Sequence, residues 1–321
     1  TCQFPTDVFF IDPTVVATST DQYATAVSWQ RRVWYDEKYD AWYVAYTDGT
    51  YYRYKFSTDG GQTWSSQYTC TTRDTGAAAR WDTFFIDPLA SDGKVHYVFG
   101  GNDYTSKPTD YPYYKQGTIG SDHIIAWGTE YNVAYDAIAD FSMKYYSSVS
   151  TTGYPWWLGW EDNGGTRFYV RAAKSPTTDG SGTWTKYAIA SSSGAGTGYA
   201  QPREPLELMQ LQNGDMYATY TWDYISQRHA GKKFTASSGL WGSEEVIRNE
   251  DIIQASAVSN GTHVFIVMQD ASDYNLYFYV RDPSTGWGSA QTAWTGLNGD
   301  GESFAISLHN ATGKIYLFLL E

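Results

Sequence analysis

Five tryptophans, at positions 64, 127, 184, 241 and 287, each close a turn-rich stretch that follows runs of alternating residues. They are separated by 63, 57, 57 and 46 positions. That is one unit per roughly 50 residues, the length of a four-stranded sheet in a radial array. The clearest unit, 30–70, reads RRVWYD, a turn, AWYVAYTD, Gly49-Thr50, YYRYKFS, a glycine-rich loop and then Trp64. Aromatic and polar residues alternate within each run, which is the period of a half-buried strand.

Five such units fill about 28–294 and leave an incomplete piece at each end. The N-terminal piece carries DVFFID and TVVATS, and the C-terminal piece carries SFAISL and KIYLFLL. A ring must close, and the two ends together supply strands for one more sheet. The expectation is an all-β, six-bladed β-propeller, one domain over 1–321, its last blade closed by both termini. Five blades is the main alternative. The 29 Tyr, 14 Trp and 14 Phe fit this class, because aromatic side chains suit pleated, half-buried surfaces.

Charge narrows the partners. With 35 acidic and 22 basic residues, the net charge of -13 repels phosphate backbones and anionic lipid, so nucleic acid is excluded. The chain has no run of 18 apolar residues, so no membrane insertion is expected. Thr1-Cys2-Gln3-Phe4 shows no basic stretch leading into an apolar one, and is read as a mature start after signal cleavage. Cys2 and Cys70 allow one internal pairing. The favoured reading is a disulfide that ties the N-terminus to the first blade, in an oxidising, extracellular setting. Two unrelated free thiols is the other reading.

The glycine-rich loop of the first unit is Ser57-Thr58-Asp59-Gly60-Gly61-Gln62-Thr63-Trp64. It fits S-x-D-x-G-x-T-W at Ser57, Asp59, Gly61, Thr63 and Trp64, and so resembles the Asp box (BNR repeat) of sialidases. Asp179-Gly180-Ser181-Gly182-Thr183-Trp184 is a good partial echo; 238–241 and 284–287 are degenerate ones. Pro202-Arg203-Glu204-Pro205-Leu206-Glu207-Leu208 and the closing strand pair also look like sialidase segments. The resemblance implies a propeller whose box is structural and lies on the rim away from the active site.

In a propeller the first strand of each blade lines the channel, and the channel mouth is the usual site. The polar residues near those strand starts are Arg31 or Arg32, Asp82, Asp140, Glu204, Gln254 and Glu302. Solvated strand starts that bind neighbouring loops are the plainer reading of the same pattern. Sialidases clamp a carboxylate with three arginines, attack with a Tyr activated by a Glu, and protonate with an Asp. The resemblance carries Arg31 or Arg32 onto the first arginine and Glu204 onto the activating Glu. It fails at Thr219-Tyr220-Thr221 and Asn275-Leu276-Tyr277, where arginines are due, and at Glu302, where the Tyr is due. A mouth holding Asp82, Asp140, Glu204 and Glu302 repels a sialate, so a true sialidase is not expected. Paired carboxylates suit acid–base cleavage of other glycans, or a Ca²⁺ ion. No other cofactor is implied.

Trp156, Trp157 and Trp160 are a second candidate surface for stacking sugars, although inter-blade core is the preferred reading. The five histidines are scattered without metal-ligand spacing. Two functions compete. One is a secreted propeller that binds or hydrolyses glycans at an acidic channel mouth. The other is a non-catalytic surface or structural protein: an adhesin, a viral fibre or capsid component, or a self-assembling subunit of an extracellular layer or filament.

Overall fold

The computed structural model describes residues 16–17, 33–71, 84–87, 94–99, 113–132, 141–151, 154–163, 168–191, 206–222, 228–297, 303–309 and 313–320. Among them the chain forms antiparallel sheets in strict sequence order. Blade 1 consists of Val33–Asp36, Ala41–Thr47, Tyr52–Ser57 and Tyr68–Thr69. Blade 2 consists of Phe84–Asp87, Val95–Phe99 and Tyr113–Ile119, with Ile125–Trp127 and Tyr131–Asn132 both on its outer edge. Blade 3 is Phe141–Thr151, Tyr154–Asn163, Phe168–Lys174 and Thr185–Ser191. Blade 4 is Leu206–Gln210, Met216–Trp222 and Arg228–Thr235, edged by Leu240–Trp241 and Glu245–Arg248. Blade 5 is Ile252–Ser259, Val264–Asp270 and Leu276–Asp282, edged by Gly286–Trp287 and Gln291–Trp294. A final hairpin, Ser303–His309 with Lys314–Leu320, follows.

The core lies between the sheets, and its composition follows the alternation in the sequence. Tyr43, Ala45, Tyr52 and Tyr54 of blade 1 pack on Val95, Tyr97 and Ile125 of blade 2. Val98 and Tyr114 of blade 2 meet Ala173 and Trp184 of blade 3. Trp156, Val170 and Ile189 of blade 3 meet Leu206, Leu208 and Phe234 of blade 4. Met209 and Tyr217 of blade 4 meet Ala255, Ile266 and Tyr279 of blade 5. Val258, Val267 and Phe278 of blade 5 meet Phe304 and Ile306 of the hairpin. Successive inner strands are neighbours from blade 2 through to the hairpin. This is a β-propeller: a sheet buries a face where the next sheet covers it. Two of the buried tyrosines bond their hydroxyls across the blade 1–blade 2 seam: Tyr43 Oη donates to the His123 carbonyl at 3.0 Å, and Ile125 N donates to Tyr54 Oη at 2.8 Å.

Two expectations change, and Trp156 takes the inter-blade place that the sequence reading preferred. Five blades, not six, are complete among the described residues. The sixth sheet has two strands, and the N-terminal segments expected to complete it fall mainly outside the described residues. Cys70 is a free thiol, 2% exposed, and burial pushes it up to about 12. The expected bridge to Cys2 is not formed; Cys2 itself lies outside the described residues. The reason is directional. Cys70 turns into the blade 1–blade 2 core, whereas Val16 meets the opposite face of the strand beside it, its carbonyl accepting from Lys55 Nζ at 2.7 Å. Finally, Trp156 is 1% exposed, its ring stacked on Tyr187 and edge-on to Phe234, so it is core and presents no face to a ligand.

Candidate functional site at the inner-strand starts

Register sorts the loops into two ends. In blade 1, Trp42 pairs with Ser57, so the 57–64 loop leaves from the end where the inner strand finishes. That loop is locked by its own side chains. Ser57 Oγ donates to Asp59 Oδ1 at 2.7 Å and accepts from Gly61 N at 2.8 Å; Thr63 N donates to Asp59 Oδ1 at 2.9 Å. Gly60 and Gly61 sit at φ of 73° and 92°, which side chains rarely adopt. Hydrogen bonds from Thr63, then Ser57, hold the Asp59 carboxyl at about 2. Ser181 does the same for Asp179 in the matching loop of blade 3. These carboxylates serve their turns, Asp179 also accepting from Tyr131 Oη of blade 2 at 3.1 Å, and they lie at the end opposite the strand starts.

The opposite end carries the candidate chemistry. Arg31 and Arg32 precede Val33, Asp82 precedes Phe84 by two positions, Asp140 precedes Phe141, Glu204 precedes Leu206 by two, and Glu302 precedes Ser303. All six lie outside the described residues, as does the side chain of Trp157. Gln254 is described. It is 5% exposed on the inner strand of blade 5, pairs across the sheet with Gln269, and its Oε1 is buried without a partner.

The structure adds residues that sequence reasoning missed. Ile252 opens the inner strand of blade 5, so Asp251 holds the position immediately before it. Partial burial, and then the nearby Asp270, push the Asp251 carboxyl up. The signal available in the sequence was Asn249-Glu250-Asp251 directly ahead of an eight-residue strand, IIQASAVS. Burial also works on Asp270, but hydrogen bonds from Ser272 and the charge of Arg248 outweigh it and hold this carboxyl low. Arg248 is the hub: Nη2 pairs with Asp270 and, at 2.6 Å, with Glu250; Nη1 donates to Tyr279 Oη at 2.8 Å; and the guanidinium lies 4.6 Å from the centre of the Tyr277 ring.

Behind this rim, blade 4 turns a buried polar stripe toward blade 5. Glu207 is 3% exposed and its Oε1 accepts from Ala257 N at 2.8 Å, linking the inner strands of the two blades. Thr221 Oγ1 lies 3.2 Å from His229 Nδ1, and His229 pairs across the sheet with Arg248. His229 is fully buried with no partner at Nε2, and burial lowers it to about 3, so it is neutral above that pH. Among the described residues no three His, Cys, Asp or Glu side chains form a group able to hold a metal ion, and no helix is long and apolar enough to cross a membrane.

No family model and no curated protein matches the chain. Solved structures do. An ulvan lyase of a new polysaccharide lyase family, bound to -[GlcA(1-4)Rha3S]-, superposes with a TM-score of 0.61 at 10% identity over 91% of this chain and 77% of its own. A Hadza microbial sialidase gives 0.57 at 12% identity over 91% and 63%. The Ruminococcus gnavus intramolecular trans-sialidase, in complex with oseltamivir carboxylate, gives 0.56 at 10% identity over 95% and 92%. The chain thus spans less than two thirds of the Hadza sialidase it matches. At these identities the likeness establishes the propeller fold.

Proposed function

We propose that this chain is a carbohydrate-interacting propeller that binds or cleaves a polysaccharide at the inner-strand-start end of its blades. The observation that carries the reading is Asp251: a carboxyl raised by burial and by Asp270, immediately ahead of the inner strand of blade 5. A carboxyl kept protonated to higher pH, among other acids, is what acid–base cleavage of a glycan requires. Asp82, Asp140, Glu204 and Glu302 supply the further acids, Arg31 or Arg32 the cation, and Gln254 an amide. The fold's likeness to sialidases and to an ulvan lyase supports a glycan partner by analogy only. Two of the three arginines expected of a sialidase clamp are missing from the sequence, so sialate is not the proposed ligand. The 57–64 loop is proposed to be a sialidase-type Asp box, a rim fastener without a part in binding. The proposal places the protein outside the cell.

A glycan array combined with a screen for glycosidase and lyase activity tests the function. Retention of at least one polysaccharide is the expected result. Retention of none, together with assembly of the purified chain into large particles, would favour a structural subunit instead.

A further inference from the structure

Blade 5 presents two exposed aromatic rings at its strand-start end. Gln269 pairs with Leu276, so the 271–275 turn lies at that end, beside Asp251 and Asp270. Leu276 also pairs with Trp294, which brings the end of the outer strand to the same level. Tyr274 is 37% exposed and Trp294 is 43% exposed. A groove of about 270 Å³ runs along Thr292, Ala293, Trp294 and Thr295.

Tyr274 holds a backbone conformation that tyrosine rarely adopts, with φ at 59°. Gly, Asn or Asp would occupy this position at lower cost. The turn leaves no alternative. Asp270 Oδ1 accepts from Ser272 N at 2.7 Å and Asp273 N at 3.2 Å, and the Asp270 carbonyl accepts from Tyr274 N at 3.1 Å. Asp273 in turn accepts from Asn275 N and from Tyr277 Oη, at 2.9 and 2.6 Å. A bulky residue kept at a strained position by an over-determined turn is a mark of a ligand contact.

We infer that Tyr274 and Trp294 form a stacking strip that carries an uncharged polysaccharide away from the channel mouth. This rests on the functional reading above and adds to it the class of substrate. Tyr274 stands between Asp273 and Asn275 in its turn, and Trp294 lines its groove with Thr292 and Thr295, so polar residues flank each ring. Such a surface suits sugar rings, which offer an apolar face and a hydroxyl edge, better than it suits a hydrophobic protein partner. The carboxylates accept hydrogen bonds from hydroxyls and repel uronates or sulfates. Arg248, paired with the Asp270 that anchors the turn, is already engaged by Asp270, Glu250 and Tyr279.

Native gels cast with soluble xylan, mixed-linkage β-glucan, galactomannan or polygalacturonate test this with the full chain. The expected result is retardation by at least one of the three neutral polymers and none by polygalacturonate. Tyr274→Asn, which suits the positive φ, should weaken that retardation about fivefold, and Trp294→Ala by a similar factor, each ring being worth about 1 kcal/mol. Tyr274→Asn should melt no lower than wild type, because it relieves strain. Retardation of wild type and both variants alike would overturn the strip while leaving the mouth reading intact. Retardation by polygalacturonate alone would overturn the assignment to uncharged chains. If no polymer retards the wild type and the glycan array is also blank, the functional reading fails, and the strip fails with it.

Discussion

Arg281 of blade 5 grips Glu245 of blade 4 through two parallel hydrogen bonds, Nε to Oε2 and Nη2 to Oε1, both 2.7 Å. The Arg281 side chain is 8% exposed, and its guanidinium lies 4.7 Å from the centre of the Tyr217 ring. Tyr217 Oη donates to Glu245 and accepts from Trp287 Nε1 at 2.9 Å. This network fastens two blades at the level of their outer strands. Arg281→Met should lower the unfolding free energy by about 2 kcal/mol, since it leaves a half-buried carboxylate without its partner. Arg281→Lys should recover only part of the loss, because an ammonium cannot make the parallel pair. Urea unfolding of the three proteins measures both.

Acid stability should depend on His229. The unfolded chain takes up this proton near pH 6.5 and the folded chain only near 3, because burial opposes the charge. Between those values the unfolded state binds more protons, so folding weakens as the pH falls. Going from pH 6.5 to pH 5 should cost about 2 kcal/mol, at about 1.4 kcal/mol per unit. His229→Gln should lack this component. Urea unfolding at pH 7 and pH 5, compared between wild type and variant, gives the difference directly.

Cys70 should behave as a buried, inert thiol. Alkylation of the native protein should leave it unmodified, whereas alkylation after denaturation without reductant should label it, as read by peptide mapping. A reductant should leave the melting temperature unchanged. Failure to label Cys70 in the denatured, unreduced chain would mean that it is bridged.

Trp156→Ala should destabilise by about 3–5 kcal/mol, because it empties an aromatic site between blades 3 and 4. At temperatures where the variant stays folded, its affinity for any bound polysaccharide should match wild type. A selective loss of affinity would return Trp156 to the binding surface.

The all-β class and the blade boundaries were readable from the sequence because both rest on local signals. Alternation in AWYVAYTD and YYRYKFS made the strands of blade 1, and Trp64, Trp127, Trp184, Trp241 and Trp287 each fall just ahead of the last strand of a complete blade, not at its end. The side of a strand to which a residue turns was not readable. Cys70 looked free to meet the N-terminus, yet the strand beside it puts Tyr54 on one face and Lys55 on the other, and the thiol follows Tyr54. Asp251 escaped notice because one residue of register decides whether an acid precedes a strand or lies within it. Gln254 had been placed at the strand start instead. Glu207 stood in plain view next to Glu204, but its bond to Ala257 N spans 50 positions and no local pattern encodes it. Tyr274 could not be found either, since a positive φ at tyrosine runs against every propensity that sequence reading uses.

The central claim is that the strand-start end of the propeller is a carbohydrate site, and the affinity of Glu204→Gln and Asp251→Asn for the polysaccharide retained best on the array tests it most directly. Both substitutions keep the side chain's shape and remove its charge. Isothermal titration should show affinity falling about tenfold or more for Glu204→Gln and severalfold for Asp251→Asn, with melting temperatures close to wild type. Binding of both variants at wild-type strength would contradict the account and move the glycan site elsewhere on the molecule.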